Sequence, residues 1–414
     1  MLKVLFLFFV TSSYGSTTLQ KSYEAALKQS ESLASQEKTS LIAKERYSQA
    51  RGSVLPTLAA NASYTIQDKP SDPLAASFFP RTQPEVKLTL RQPLFRGFSE
   101  FRTLRQFSHL DEAEKHAYAN ASLSLYNDVA QSYHAVLASE ENLKNISDQL
   151  KLYDERISEL TRRVREGTSR DTDLLTMQSS RAAAQAQFEN AKANVTAARE
   201  TYSFLTGLPA TEKLAEINHE NEKLKSLSEY IKGIEKRPDI LDLTERAEAA
   251  SDEVGAAKGA HAPTIDLLGN YYFKRQSEVY KGIDWDIQAA LSFPLFSGGV
   301  TVARVSEAAL QREKADLDLV RLRRQAEQQV RTLHQDYSTG LESISALEKS
   351  LELAEKNYQL MKRDFARGLA RNLDVLQALT TSQEVRRELL RARFVAKDKW
   401  VQLNIAAGRN PLHE

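Results

Sequence analysis

The chain carries one pattern twice, and this duplication limits what it can fold into more than any other feature. Ala50-Arg-Gly-Ser-Val-Leu-Pro-Thr-Leu58 returns as Ala257-Lys-Gly-Ala-His-Ala-Pro-Thr-Ile265, with Pro56 and Pro263 207 residues apart. Gln92-Pro-Leu-Phe-Arg-Gly97 returns as Phe293-Pro-Leu-Phe-Ser-Gly298, with Pro93 and Pro294 201 apart. The spacing of 201 also pairs Gly167 with Gly368, Asp173 with Asp374 and Gly207 with Gly408. A register held over that distance marks two copies of one unit. The change from 207 to 201 places a length difference between the two proline landmarks, where a loop belongs.

Each copy reads in the same order. A run rich in Ala, Glu, Lys, Gln and Leu, such as Leu19 to Gly52, favours helix and ends at a proline. Two short alternating segments follow, separated by a turn-rich loop. Pro-Leu-Phe then leads into a stretch without proline, from Leu94 to Leu208 and again from Leu295 to Asn410. A helix over Ser99 to Glu166 would reach about 100 Å, far beyond a globular helix, and needs neighbours along its length. Leu104, Phe107, Leu110, Leu125, Val129, Tyr133 and Val136, with alanines between them, suit coiled-coil-like packing. The opening and returning helices are each about half as long, so the two stacked end to end could line the long one.

The resulting division is a leader over 1–15, a first repeat over 16–223 and a second over 224–414. The first holds a helix, a β-hairpin over 57–92, a long helix over 99–166, a helix over 172–207 and a linker. The second holds a helix, a hairpin over 264–293, a long helix over 299–367, a helix over 372–407 and a short tail. In the leader, Lys3 precedes the apolar run Val4–Val10 and the small residues Ser12, Ser13, Gly15 and Ser16, the layout of a secretory signal peptide. No later stretch has the ~18 apolar residues of a membrane-spanning helix.

The alternating segments therefore carry any membrane argument. Leu58, Ala60, Ala62, Tyr64 and Ile66 oppose Asn61, Ser63, Thr65 and Gln67; Val86, Leu88 and Leu90 oppose Glu85, Lys87, Thr89 and Arg91. Ile265, Leu267, Gly269, Tyr271 and Phe273 oppose Asp266, Asn270, Tyr272 and Lys274; Trp285, Ile287, Ala289, Leu291 and Phe293 oppose Asp286, Gln288 and Ser292. Strands of ~10 residues with one apolar and one polar face suit a barrel between lipid and a wet lumen. Soluble antiparallel sheets alternate in the same way. The flanking Phe95, Phe98, Trp285 and Phe296 and the leader favour the membrane. Four strands cannot close a barrel, and open edges in lipid leave backbone groups unpaired. Copies must combine, and three supply twelve strands. The loops Asp68–Pro84 and Gln276–Gly282 would then lie outside the cell.

Lys and Arg total 56 against 55 Asp and Glu, which gives no reason to expect nucleic acid as a partner. No cysteine is present, which excludes a disulfide framework, a thiolate metal site and a lipid-bearing cysteine. His109, His116, His134, His219, His261, His334 and His413 have no ligand spacing and read as helix-surface or satisfied groups. No phosphate-binding loop, nucleophile elbow or cofactor motif appears, so the chain is not read as an enzyme.

In its duplication, its element order and its local motifs the sequence resembles the TolC family of outer-membrane efflux proteins of Gram-negative bacteria. The motifs are Ala50 to Pro56, Pro-Leu-Phe-x-Gly after the second and fourth strands, Phe365-Ala-Arg-Gly368 with Asn372-Leu-Asp-Val-Leu376, and Gln402-Leu-Asn-Ile-Ala-Ala-Gly408. The resemblance implies a mainly α membrane protein: a homotrimer with a twelve-stranded β-barrel in the outer membrane, continuous with a periplasmic α-helical barrel. It implies a passive exit duct working with a periplasmic adaptor (membrane fusion) protein and an inner-membrane RND or ABC exporter, in efflux or type I secretion. It implies a girdle at Pro209–Lys236 and the tail. A soluble exported coiled-coil scaffold is the alternative.

The resemblance also puts the periplasmic gate at the turns around Gly167 and Gly368. Asp374 matches the family's constriction aspartate, and Gln377 stands where the family has a second acid. Asp173 is the equivalent of Asp374 in the first repeat, and Arg170 and Arg371 are equivalent to each other. Two readings stand for the acids: helix N-terminal caps, or an acidic ring on the axis. Two stand for the arginines: clamps on neighbouring helices, or surface charges.

Overall fold

A computed structural model of the chain describes residues 16–68, 70–79, 81–216, 224–275 and 282–409. The expected leader over 1–15, nearly all of the loop Gln276–Gly282 and the last residues of the tail lie outside the described residues. The chain divides into two compact units. The first comprises Met1–Ala34, Asn120–Arg237 and Gln325–Glu414; the second comprises Ser35–Ala119 and Pro238–Arg324. Each takes segments from both repeats.

The elements run α1 (Leu19–Gln29), α2 (Glu31–Gly52), β1 (Thr57–Ile66), α3 (Pro73–Phe78), β2 (Thr82–Arg96), α4 (Ser99–Arg165) and α5 (Asp171–Thr206). Then come α6 (Leu227–Gly233), a 3-10 turn (Ile234–Lys236), α7 (Pro238–Gly259), β3 (Thr264–Arg275), β4 (Trp285–Ser292), α8 (Val300–Ala366) and α9 (Asn372–Ala406). The helix expected over Leu19 to Gly52 is two helices. Ser30 leaves helical geometry at φ −71° and ψ 106°. Its N–H still closes α1 on the Ala26 carbonyl at 2.9 Å, while its Oγ accepts from Leu33 N at 3.2 Å and starts α2. One serine thus ends one helix and caps the next.

The second unit holds one four-stranded antiparallel sheet in the order β1-β2-β3-β4. The two hairpins, one from each repeat, meet at β2 and β3. Alternation sorts the faces. Leu58, Tyr64, Ile66, Trp285, Ile287 and Leu291 are each about two-thirds exposed on one side. On the other, a hydrogen-bonded file crosses all four strands. Asn61 Nδ2 donates to Thr89 Oγ1 at 3.1 Å, Thr89 Oγ1 to Asn270 Oδ1 at 2.9 Å, and Asn270 Nδ2 to Asp286 Oδ1 at 2.9 Å. Asp266 binds both Arg91 at 2.7 Å and Arg96 at 3.0 Å. The expected polar placement of Lys274 is corrected: the register shifts between Val86 and Lys87, and Lys274 stands opposite Val86. An extra residue on one strand reverses the alternation beyond it.

Where β2 turns into α4, Gly97 has φ 65°. A Cβ there would collide with the Gly259 carbonyl at the end of α7, and one on Gly259 would crowd Ser99. The same helices are tied by Asp252, which is 2 % exposed. It accepts from Arg102 Nη1 and Arg105 Nε, each at 3.0 Å. Burial pushes the Asp252 carboxyl up, but the two guanidiniums outweigh it and hold it below its ordinary value.

In the first unit Leu150, Tyr153, Leu160, Met177, Tyr358, Phe365, Val375 and Leu379 form a core shared by α4, α5, α8 and α9. Tyr133 donates to the carbonyls of Thr17, at 2.9 Å, and Ala215, at 2.5 Å, and so fastens the start of the described chain to the linker. Burial pushes the Tyr133 hydroxyl well above its ordinary range.

Gly97→Ala is expected to destabilise the protein by at least the about 1–2 kcal/mol of a left-handed non-glycine residue, through its φ and its overlap with Gly259. Gly52→Ala, with open space at its Cβ and a helical backbone, is expected to be neutral or stabilising by up to ~1 kcal/mol. Thermal unfolding of the two variants checks the contrast.

Candidate functional site

The turns joining α4 to α5 and α8 to α9 are built alike. Gly167 has φ 73° and Gly368 φ 77°, and neither has an atom within 4 Å of where a Cβ would lie. The backbone, rather than packing, requires glycine here. Thr168 N donates to Arg163 O at 2.8 Å and Leu369 N to Asp364 O at 2.9 Å, each closing the preceding long helix.

The acids begin the next helices. Asp374 Oδ2 accepts from Arg371 N at 2.9 Å, and Asp374 N donates to Arg371 O at 3.1 Å. Asp173 Oδ2 accepts from Arg170 N at 3.3 Å and Ser169 Oγ at 3.3 Å, and Asp173 N donates to Arg170 O at 3.1 Å. Each carboxylate thus satisfies a backbone donor at a helix start. The Arg371 backbone N–H, then its guanidinium, hold the Asp374 carboxyl below its ordinary value of 3.8. Arg371 folds back on its own Asp374 at 3.3 Å and is largely exposed. Within the chain it pairs with the helix it precedes rather than with a neighbouring one. Arg170 and Gln377 are exposed, and Asp173 and Asp374 half-buried. Gln377 lies three residues on from Asp374, on the same helix face.

The structure adds a residue that sequence reasoning missed. Arg156 on α4 is 4 % exposed. Its guanidinium lies 3.9 Å from the centre of the Phe365 ring on α8. Its Nη1 donates to Glu159 Oε2 at 2.5 Å and its Nη2 to Asn372 Oδ1 on α9 at 3.3 Å. Asn372 Nδ2 in turn donates to the Asp173 carbonyl on α5 at 3.3 Å. Arg163 stands 4.6 Å from the same ring and 3.3 Å from Glu159 Oε1. Two guanidiniums, one carboxylate and one ring therefore join the helix turn of the first repeat to that of the second. Burial lowers the Arg156 pKa, and Glu159 works against that shift. The signal in the sequence was Arg156 and Arg163 one heptad apart with Glu159 between them, but such a triplet ordinarily marks a solvated helix face.

Of the two roles expected for the histidines, His134 takes that of a satisfied group. It is 1 % exposed, and its Nδ1 meets Asp398 Oδ1 at 2.6 Å. Among the described residues no group of three or more His, Asp or Glu is arranged to hold a metal ion, and no helix is long and apolar enough to cross a membrane.

Comparison with known proteins agrees with this architecture. The profile of the outer membrane efflux protein family matches residues 22–208 and 232–409. The alkaline protease secretion protein AprF of Pseudomonas aeruginosa is 26 % identical over 342 residues, covering 78 % of this chain and 69 % of that protein. The outer membrane protein TolC of Escherichia coli is 25 % identical over 395 residues, covering 89 % and 77 %. Among solved structures, CusC superposes with a TM-score of 0.85 at 16 % identity, covering 96 % of this chain and 93 % of that one. VceC of Vibrio cholerae superposes with a TM-score of 0.83 at 18 % identity, covering 95 % and 96 %. These likenesses decide between the duct and the soluble scaffold. The chain belongs to the outer membrane efflux protein family and is an exit duct of the bacterial outer membrane.

Proposed function

We propose that three copies of the chain close one twelve-stranded barrel, and that this trimer passes cargo handed to it by an inner-membrane RND or ABC exporter through a periplasmic adaptor. The observation carrying this reading is the sheet. Among the described residues, its edges β1 and β4 are unpaired within one chain, and its apolar face stays exposed. In lipid the apolar face is satisfied, but the edges are not until other copies pair with them. The polar file from Asn61 to Asp286 then faces water in the lumen.

The turns around Gly167 and Gly368 form the periplasmic gate in this reading. Asp374, with Asp173, lines the mouth while capping its helix, so one carboxylate serves both roles. Gln377 leaves the ring with fewer charges than two acids per turn would give. Arg371 tempers the ring through its contact with Asp374, and Arg170 stands in the equivalent place. Arg156 holds the turns of the two repeats together through Phe365 and Asn372.

Two measurements test this. In planar bilayers, Asp173→Ala with Asp374→Ala is expected to raise conductance and remove block by divalent cations. Unchanged conductance and block would refute the acidic ring. The sign with pH follows from the lowered pKa of Asp374. The charge and the cap persist above the ordinary value of 3.8 and fade only as pH falls through the lowered value. Cation block is therefore expected to survive at pH 5. Arg156→Leu, which keeps bulk beside Phe365 but removes the charge, is expected to raise conductance. Arg162→Ala, at a largely exposed position with only a 4.0 Å contact to Glu166, is expected to leave it unchanged.

A further inference from the structure

We infer that β4 of one copy pairs antiparallel with β1 of the next in a single register, with Asp286 opposite Thr65 and Gln288 opposite Ser63. The inference rests on the closed barrel proposed above and specifies its seam.

The ladders within one chain set the problem. A path at right angles to the strands runs Ala59, Thr89, Asn270, Asp286. If the next copy joined with no slide, Asp286 would face that copy's Ala59. Only Trp285 to Gln288 would then find partners in β1, and the rest of β4 would meet residues before Thr57. Even slides of four residues, to Ser63, and of six, to Thr65, each set all eight residues of β4 against β1, and the level of the hairpin ends selects six. The opposite slide would put Asp286 against Ser53, beyond the end of β1, where no ladder can form.

Three further observations agree. First, the hairpin ends become level. Among the described residues, the last backbone bonds toward the loops are Gln67 N to Arg81 O at 2.9 Å and Tyr272 N to Asp284 O at 2.7 Å. In this register Asp284 stands opposite Gln67. Second, the slope is right. Six residues at ~3.3 Å are about 20 Å along the strands, for about 19 Å of girth from four strands ~4.8 Å apart, a tilt of about 45° within the barrel range.

Third, the faces match. The lipid side pairs Trp285 with Ile66, Ile287 with Tyr64, Ala289 with Ala62 and Leu291 with Ala60. On the lumen side, the Thr65 hydroxyl is placed to donate to the Asp286 carboxylate and the Gln288 amide to Ser63 Oγ, extending the polar file across the seam. An odd slide would turn Asp286 to the lipid. The same two edges stay apolar beyond the sheet. Leu41 and Ile42 on α2, which leads into β1, are exposed, as are Leu310, Leu317 and Val320 on α8, which follows β4.

The chain has no cysteine, so introduced pairs report alone. Thr65→Cys with Asp286→Cys, oxidised in intact outer membranes, is expected to shift the denatured protein from the mass of one chain to that of three. Neither single variant should do so. Ser63→Cys with Gln288→Cys is expected to behave in the same way. Ser63→Cys with Asp286→Cys, a slip of two residues or ~6.6 Å along the strand, which with ~4.8 Å between strands sets the Cα atoms about 8 Å apart, is expected not to link, because a disulfide spans only about 4.4–6.8 Å between Cα atoms. Linking by that last pair in place of the first two would overturn the register while leaving the barrel intact. Failure of all three pairs in a protein that still sediments as a trimer would likewise overturn the register. A monomer in the membrane would overturn the proposed barrel itself.

Discussion

An unpaired backbone edge inside a bilayer costs several kcal/mol for each N–H or C=O left without a partner. This cost governs the sheet of the second unit. β2 and β3 are paired on both sides, whereas among the described residues β1 and β4 each keep a bare edge. The duplication supplies both the sheet and its problem. Each repeat gives one hairpin, the hairpins meet at β2 and β3, and the outer strand of each is left over. Bending the four strands shut is not open to one chain, so further copies must continue the ladder. The exposed apolar face and the inward polar file then need no covering protein, because lipid and water meet them.

A second economy appears at the helix turns. Asp173 and Asp374 close the donor groups of α5 and α9 with their own carboxylates. A capping role does not compete with a role in the mouth, since one oxygen can take the backbone N–H while the charge is still felt by a passing ion. What fixes the two turns to each other is a different set of groups, Arg156, Glu159, Arg163, Phe365 and Asn372. Each side chain there has a partner on another helix or one turn along its own. A buried guanidinium stacked on a ring and held by a carboxylate tolerates little displacement. It therefore fixes the turn of the first repeat against that of the second.

The strand faces and the family were legible in the sequence, because alternation, proline and glycine leave marks that survive without tertiary context. Three features were not. The bulge that turns Lys274 toward the side of Val86 inserts one residue and has no compositional sign. The break at Ser30 depends on one serine capping a helix in a segment that otherwise favours helix throughout. Arg156 and His134 carry side chains that normally stay in water, and their burial follows from α8 and α9 covering them, a contact between residues more than two hundred positions apart in sequence. The aspartates fell between these cases. Their place at a helix start could be read from the glycine before them, while the contact between Arg371 and its own Asp374 within the chain shows only in the fold.

Amide hydrogen exchange on the protein in outer-membrane lipid tests the central claim most directly. Closure predicts that the backbone amides of Thr57–Ile66 and Trp285–Ser292 exchange as slowly as those of the central strands β2 and β3. Fast exchange confined to β1 and β4, with the central strands protected, would mean that the edges stay open and that copies of this chain do not seal one another.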